Sequence, residues 1–212
     1  MFVKNHLIPI SQVTTLNATD SLHSALKIMD EHKHDALPVL DENKQLVGLL
    51  SKQHVYKVFF MKAQDKEVFL NTTSAGTLMK TDYKYVYEDA LIETAIKLMT
   101  NMRMQFIVVY NSKNQFVGIL TRRNLLEAMA NALGIDKKGV RVEVVVNDTQ
   151  GRLAALTKVL AKAGYNIMSI FMLDPNVMDL QKIVLRLDTK DEKRVVTLLN
   201  DSGFKVLTSV LE

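Results

Sequence analysis

A chain of 212 residues that is 48% hydrophobic and 24% charged has the balance of an ordinary globular protein, long enough for one large domain or two to three small ones. The absence of cysteine excludes disulfides, thiol chemistry and Cys-ligated metals, and a net charge of +4 spread without a basic block argues against a nucleic-acid partner. No apolar run reaches the roughly 20 residues of a membrane span, and none follows Lys4 as a signal peptide requires, so the expectation is a cytoplasmic protein with no membrane partner.

In chain order, the first predicted element is a short strand over 13–16. Asp20 and Ser21 then precede Leu22, Ala25, Leu26 and Met29. That i, i+3, i+4, i+7 spacing behind an N-cap predicts a helix over 21–32, closed by His34 and Asp35. Residues 36–40 read as a buried strand, 41–44 as a turn and 45–50 as a second strand, close enough for a hairpin. Ser51 is placed to cap a helix with Val55, Val58 and Phe59 on its inner face. The polar stretch 62–76 reads as a connector. A strand over 84–86 follows, then a helix over 91–102 and two strands over 106–110 and 115–120 across an Asn111–Asn114 turn. Thr121 caps a further helix carrying Leu125, Leu126, Met129 and Leu133, and 134–139 closes this part.

These elements are one unit written twice, seventy residues apart. Residues 22–55 lie over 92–125 without a gap. Ala25 falls on Ala95, Met29 on Met99, Val39 on Val109, Val47 on Val117 and Gly48 on Gly118. A single β-α-β-β-α unit leaves an apolar sheet face bare, so the copies should pack on each other.

The remainder has a different pattern. Val140, Val142, Val144 and Val146 mark a strand, and residues 147–151 a tight turn. Leu153, Leu156, Val159, Leu160 and Ala163 predict a helix stopped by Gly164. Strands over 166–173 and 180–187, a helix over 191–201 and a strand over 204–211 complete a β-α-β-β-α-β order, the ferredoxin-like one.

Residue chemistry singles out the second strand-to-helix corner, Thr121-Arg122-Arg123-Asn124. A hydroxyl, free helix N–H groups and arginine forks there suit a phosphate, and a helix cap beside solvated arginines is the plainer alternative. The corresponding Ser51-Lys52-Gln53-His54 carries less positive charge. Phe106 offers a ring face on which a base can stack, or else is strand core. Tyr83, Tyr85 and Tyr87 alternate on one strand face and suit either a cleft or a dimer face. Asp148 to Gly151 precede a helix, where backbone can approach a carboxylate, or form an ordinary turn. His32 and His34 have no familiar metal spacing, so no metal is expected. No P-loop, GxSxG elbow or Rossmann fingerprint is present, so no catalytic residue or catalytic cofactor is expected.

The repeat resembles the CBS domain, which occurs in tandem as a Bateman module. The resemblance runs through Thr15-Leu16 and Tyr85-Val86, the Ala-(x3)-Met of each first helix, Leu37-Pro38-Val39, and Val47-Gly48-Leu49-Leu50-Ser51 with its echo Val117-Gly118-Ile119-Leu120-Thr121. It covers roughly residues 1–133. The tail resembles an ACT domain through Asn147-Asp148-x-x-Gly151-x-Leu153 and Gly164-x-Asn166-Ile167, with Gln150 where that family usually has proline. The CBS–CBS–ACT order is similar to the AcuB-like acetoin-utilisation proteins.

These resemblances imply an α+β fold, a tandem CBS (β-α-β-β-α) pair followed by a ferredoxin-like ACT domain, with repeats over 1–72 and 73–135 and the tail over 139–212. They imply a ligand-sensing regulatory protein rather than an enzyme. CBS pairs commonly hold adenosine compounds such as AMP, ATP, S-adenosylmethionine or cyclic di-AMP between the repeats. On that resemblance the site is expected at Tyr85, Val86, Phe106, Ile107, Thr121, Arg122, Arg123 and Asn124, and less strongly at Thr15, Leu37, Ser51 and His54. Asn124 and His54 stand where the family usually has a ribose-binding Asp. ACT domains commonly pair through their sheets and bind amino acids at the pairing edge, which points to Asn147, Asp148, Gly151, Asn166 and Ile167 and to a homodimer. The expected partners are a small-molecule effector, a second copy and a target protein that the sequence does not name. The alternative expectation is a structural homodimer whose clefts are vestigial.

Overall fold

In the computed structural model, which describes residues 1–61, 65–100 and 105–211, the chain divides into a unit over Met1–Leu126 and a unit over Glu127–Glu212. In chain order the first holds β1 (Ile8–Pro9), β2 (Leu16–Asn17), α1 (Leu22–Glu31), β3 (Ala36–Leu40), β4 (Leu46–Ser51), α2 (Lys52–Met61), α3 (Lys66–Thr72) and α4 (Ala75–Leu78). It continues with β5 (Tyr85–Tyr87), α5 (Ile92–Thr100), β6 (Phe106–Tyr110), β7 (Phe116–Thr121) and the first turns of α6 (Arg122–Leu133).

The repeat is visible in each local device. Ser21 caps α1 by accepting the Ser24 N–H at 3.2 Å, and the stripe Leu22, Ala25, Met29 is fully buried. The equivalent Ile92, Ala95 and Met99 of α5 are buried too. The β3–β4 turn closes when Asp41 Oδ1 accepts the N–H groups of Asn43 and Gln45 at 2.9 and 2.8 Å. Asn111 Oδ1 does the same for Lys113 and Gln115 at 2.9 and 3.0 Å. Strands β2, β3 and β4 form one sheet, and β1, β7, β6 and β5 another. In both sheets the opening strand runs parallel to the middle one, and a bulge falls after Val39 and after Val109.

The repeats also exchange segments. Strand β1 precedes the first repeat yet pairs with β7 of the second, Ile8 opposite Ile119 and Pro9 opposite Gly118. Reciprocally, Lys80, on the way into the second repeat, bridges to Leu49 of β4. A side chain on Gly118 would fall on the Ile8 carbonyl, and one on Gly48 would lie 2.7 Å from the Met79 sulfur. The repeated glycine is therefore the place where the exchanged segment comes close against the sheet.

The strand expected over 13–16 is shorter and later, Leu16–Asn17, and Val13, Thr14 and Thr15 lie outside any strand, following a 3-10 turn over Ile10–Gln12. The connector expected over 62–76 is helical over much of its described length. Asp65 Oδ1 caps α3 by accepting from Glu67 and Val68 at 2.8 and 3.0 Å, and Phe69 is fully buried in the first repeat's core. Residues 62–64 of that connector, and 101–102 of the helix expected over 91–102, lie outside the described residues.

The second unit holds β8 (Val140–Asn147), α7 (Arg152–Lys162), β9 (Ile167–Leu173), β10 (Leu180–Leu187), α8 (Glu192–Asp201) and β11 (Lys205–Leu211). Its strands are antiparallel in the order β11-β8-β10-β9. Val140, Val142, Val144 and Val146 alternate inward and meet Leu156 and Leu160 of α7 and Val195 and Leu199 of α8. Each such side chain contributes about 1.5–3 kcal/mol on burial. Gly151, at φ 88°, takes the left-handed turn that starts α7.

Candidate functional site

The site is built at the two strand-to-helix corners of the first unit. At the second corner the Arg122 N–H donates to the Gln105 carbonyl at 3.1 Å, and at the first the Lys52 N–H donates to the Asp35 carbonyl at 2.9 Å. The backbone corner is thus the same in both repeats. The side chains on it are not.

Beside the second corner lies a cleft of about 340 Å³. Thr121, Arg122 and Arg123 form its polar end, and Phe106 and Leu37 form part of its apolar wall. Gln12, Val13 and Thr14, carried there by the exchanged N-terminal segment, close another side. Beside the first corner lies a cleft of about 300 Å³. Ser51 and Gln53 stand at its corner, and Lys80, Asp82 and Tyr83 close it from the segment exchanged the other way. Tyr83 is held by its hydroxyl, 2.9 Å from that of Tyr110. Burial foremost, then this contact, raises the Tyr110 phenol above its ordinary pKa. The seventy-residue offset relates the two clefts: Gln12 to Asp82, Val13 to Tyr83, Ile119 to Leu49, Arg123 to Gln53. Ala36, Gln105 and Phe106 line both.

Polar partners fix the corners. Thr121 donates both its N–H, at 3.1 Å, and its hydroxyl, at 2.6 Å, to Asn124 Oδ1. The Asn124 N–H returns a bond to Thr121 Oγ1 at 3.2 Å. This reciprocal cap spends the Asn124 carbonyl oxygen on its own helix. At the other corner Ser51 Oγ accepts the His54 N–H, at 3.2 Å. Desolvation, followed by the nearby Lys80 and Lys57 ammonium groups, pushes the His54 pKa below the usual histidine value. Lys52 turns away to Asp30 at 2.6 Å, with Asp35 at 4.0 Å. Across the repeats, Gln105 Nε2 donates to Asp35 Oδ2 at 2.9 Å.

Of the residues expected at a nucleotide site, Leu37, Phe106, Thr121, Arg122 and Arg123 are brought together on the 340 Å³ cleft. Ser51 lines the other cleft with Phe106. Ile107 and Val86 are core, 0% and 5% exposed. Tyr85 is 49% exposed and packs edge-on against Tyr87 and Tyr110. Thr15, His54 and Asn124 lie off both linings. In the second unit Asp148 lines a hollow of about 510 Å³ at the β9–β10 turn, with Asp174 and Asp179. Asn147, Gly151, Asn166 and Ile167 lie outside that hollow. Asn147 and Ile167 pair in the sheet with Leu180 and Leu187, and the Asn166 carbonyl accepts from Asp188 at 3.0 Å. Sequence reasoning passed over Gln12, Val13, Thr14, His34, Asp35 and Gln105. The signal was present in the repeat itself, since Asp35 and Gln105 are seventy apart.

Among the described residues no helix is long and apolar enough to cross a membrane, and no group of three or more metal-ligating side chains gathers.

Comparison with known proteins locates this arrangement. The family model described as the CBS domain matches residues 3–60 and 75–131, more than half of the chain. Inosine-5'-monophosphate dehydrogenase of Methanocaldococcus jannaschii is 27% identical over 133 residues, which take in 62% of this chain and 25% of that one. The chain therefore spans about a quarter of that relative's length. A hypothetical conserved protein of Geobacillus kaustophilus is similar at a TM-score of 0.57 and 27% identity, over 62% of this chain and 97% of the other. CBSX2, a CBS-pair protein of Arabidopsis thaliana solved in complex with AMP, is similar at a TM-score of 0.54 and 26% identity, over 64% of this chain and 98% of the other.

Proposed function

The chain belongs to the CBS-domain family, in tandem, and from that premise we propose that it is a non-enzymatic regulatory protein sensing an adenine nucleotide: AMP, ATP or cyclic di-AMP. The observation that carries this reading is the single cleft, about 340 Å³, that joins the Phe106 ring to the Thr121–Arg123 corner. Its size falls in the roughly 300–1,000 Å³ range of small-molecule sites. The base stacks on Phe106, the phosphate meets the Thr121 hydroxyl and the first N–H groups of α6, and the guanidinium groups of Arg122 and Arg123 supply planar donors. The AMP complex of CBSX2 supports the choice of ligand.

The second unit is read as a ferredoxin-like ACT domain over 139–212, following CBS repeats over 1–72 and 73–135. Its strand order, with the fourth strand beside the first and the third beside the second, supports this. Dimerisation, amino-acid binding around Asn147, Asp148, Gly151, Asn166 and Ile167, and an AcuB-like place in acetoin utilisation belong to the same proposal. Nucleotide binding would then bias the state presented to a target protein.

Calorimetry on folded, nucleotide-free full chain tests the reading with AMP, ATP and cyclic di-AMP. We expect one of them to bind, and Arg122→Ala with Arg123→Ala to weaken it at least about tenfold through loss of charge-assisted bonds. Binding of none sinks the nucleotide reading. A second reading, a structural homodimer with vestigial clefts, draws on the spent Asn124 carbonyl and on exposed Ile170, Met172, Leu207 and Val210 along the outer strands. It expects light scattering to be identical with and without every nucleotide.

A further inference from the structure

The reciprocal bonds between Thr121 and Asn124 fix where the protons of this corner lie. A backbone N–H can only donate, so the Asn124 atom 3.1 Å from the Thr121 nitrogen is the amide oxygen. That oxygen can only accept, so the Thr121 hydroxyl 2.6 Å from it is the donor. The same hydroxyl accepts the Asn124 N–H at 3.2 Å. Its proton and one lone pair are thereby used, and one lone pair remains. Thr121 lines the cleft of about 340 Å³, and Asn124 lies off that lining. In this arrangement the hydroxyl offers an occupant of the cleft an acceptor. A phosphate presents strong acceptor oxygens, and two lone pairs do not bond. To hold a phosphate, the Thr121 hydroxyl must turn about its C–O bond and leave Asn124 Oδ1.

We infer that Asn124 is a positioning residue that competes with the ligand: it keeps the Thr121 proton turned into the helix, and a phosphate must draw that proton away from it. The inference rests on the reading of this cleft as a nucleotide site. On binding, the Thr121 hydroxyl exchanges its bond to Asn124 Oδ1 for one to a phosphate oxygen, and Oδ1 retains the Thr121 N–H. The bond formed is charge-assisted and the bond given up is neutral, so a phosphate completes the exchange. A neutral acceptor gains nothing by it. A neutral donor, such as the 5′-hydroxyl of adenosine, needs no exchange, because it gives its proton to the remaining lone pair. Asn124 thus sets how strongly the corner prefers a phosphate over a hydroxyl without touching either.

The test is calorimetry on the full chain with AMP and adenosine as probes. Asn124→Ala removes the competing acceptor and frees the Thr121 proton. It should tighten AMP about threefold or more, as the release of one neutral hydrogen bond implies, and leave adenosine within about twofold. Asn124→Leu keeps a branched side chain without an acceptor and should do the same. Circular dichroism and urea midpoints establish that each variant is folded, and the two variants guard against a defect in one. In a Thr121→Val background, which has no hydroxyl, neither substitution should change the ratio of AMP to adenosine affinity. A ratio that falls or stays level in the folded Asn124 variants overturns the inference, and so does a rise that survives Thr121→Val. The two proposals fail distinguishably. Wild-type chain that binds AMP, and binds it more weakly after Asn124→Ala, keeps the nucleotide reading and loses this one. Wild-type chain that binds none of AMP, ATP and cyclic di-AMP loses both.

Discussion

Asn124 and His54 occupy the same place in the two repeats and do opposite things to their corners. Asn124 folds back on Thr121 and locks the second corner with three hydrogen bonds. His54 lends Ser51 only its N–H and brings a titratable ring. Because the folded state lowers the pKa of His54, the unfolded chain takes up the proton first on acidification. Stability therefore falls as pH drops through the ordinary histidine value, about 6.5, and levels off below the folded value. His54→Gln should flatten this part of the profile. After solvent screening the difference stays below about 1 kcal/mol, read as the urea midpoint of variant against wild type between pH 7.5 and 5. A variant as acid-sensitive as wild type would show the ring to be unperturbed. Both caps were legible from Ser51 and Thr121, since the hydroxyl is followed by a periodic helix. The fate of the Asn124 carbonyl was not, because it depends on a rotamer. The Asp35–Gln105 bond had only the seventy-residue register to announce it, since these polar side chains carry no burial signal.

Among elements, the exchanged segments explain why a glycine recurs at 48 and 118. The obstacles at the two positions differ in kind. A methyl on Gly118 meets the Ile8 backbone carbonyl, which is pinned by the β1–β7 ladder. One on Gly48 meets first the flexible Met79 side chain. Gly118→Ala should thus cost more than Gly48→Ala, on the order of 1–3 kcal/mol for the overpacked site. Denaturant midpoints of the two variants decide it, and equal losses would contradict the difference in obstacles. Helices α1 and α5 were plain in the sequence because a buried stripe repeats at helical spacing. Strand β1 was hidden, being two residues long and paired more than a hundred residues away. Helix α3 was also hidden, because its surroundings are polar. Asp65 ahead of Val68, Phe69 and Leu70 was the cap signal to be read there.

On the scale of the whole molecule, the second unit leaves two sheet edges, β9 and β11, with apolar residues still in solvent. Ile170 is 40% exposed and Leu207 42%. An uncovered edge is a template for pairing with another chain. Under the homodimer proposal, light scattering should return twice the 24.0 kDa of one chain. Ile170→Asp with Leu207→Asp should move that mass toward the monomer with helix content intact. A monomeric wild-type chain would defeat the proposal. The element order of this unit could be read from the sequence, since inward valines and helix stripes mark each piece. The strand order could not, because hydrophobic period fixes which face is buried and not which neighbour a strand takes.

The wall common to both clefts, Ala36, Phe106 and Gln105, carries a last consequence. These three residues bound both clefts, so an occupant of either touches the same wall. If the two occupants interact through it, each must alter the other's affinity by the same factor, whichever binds first.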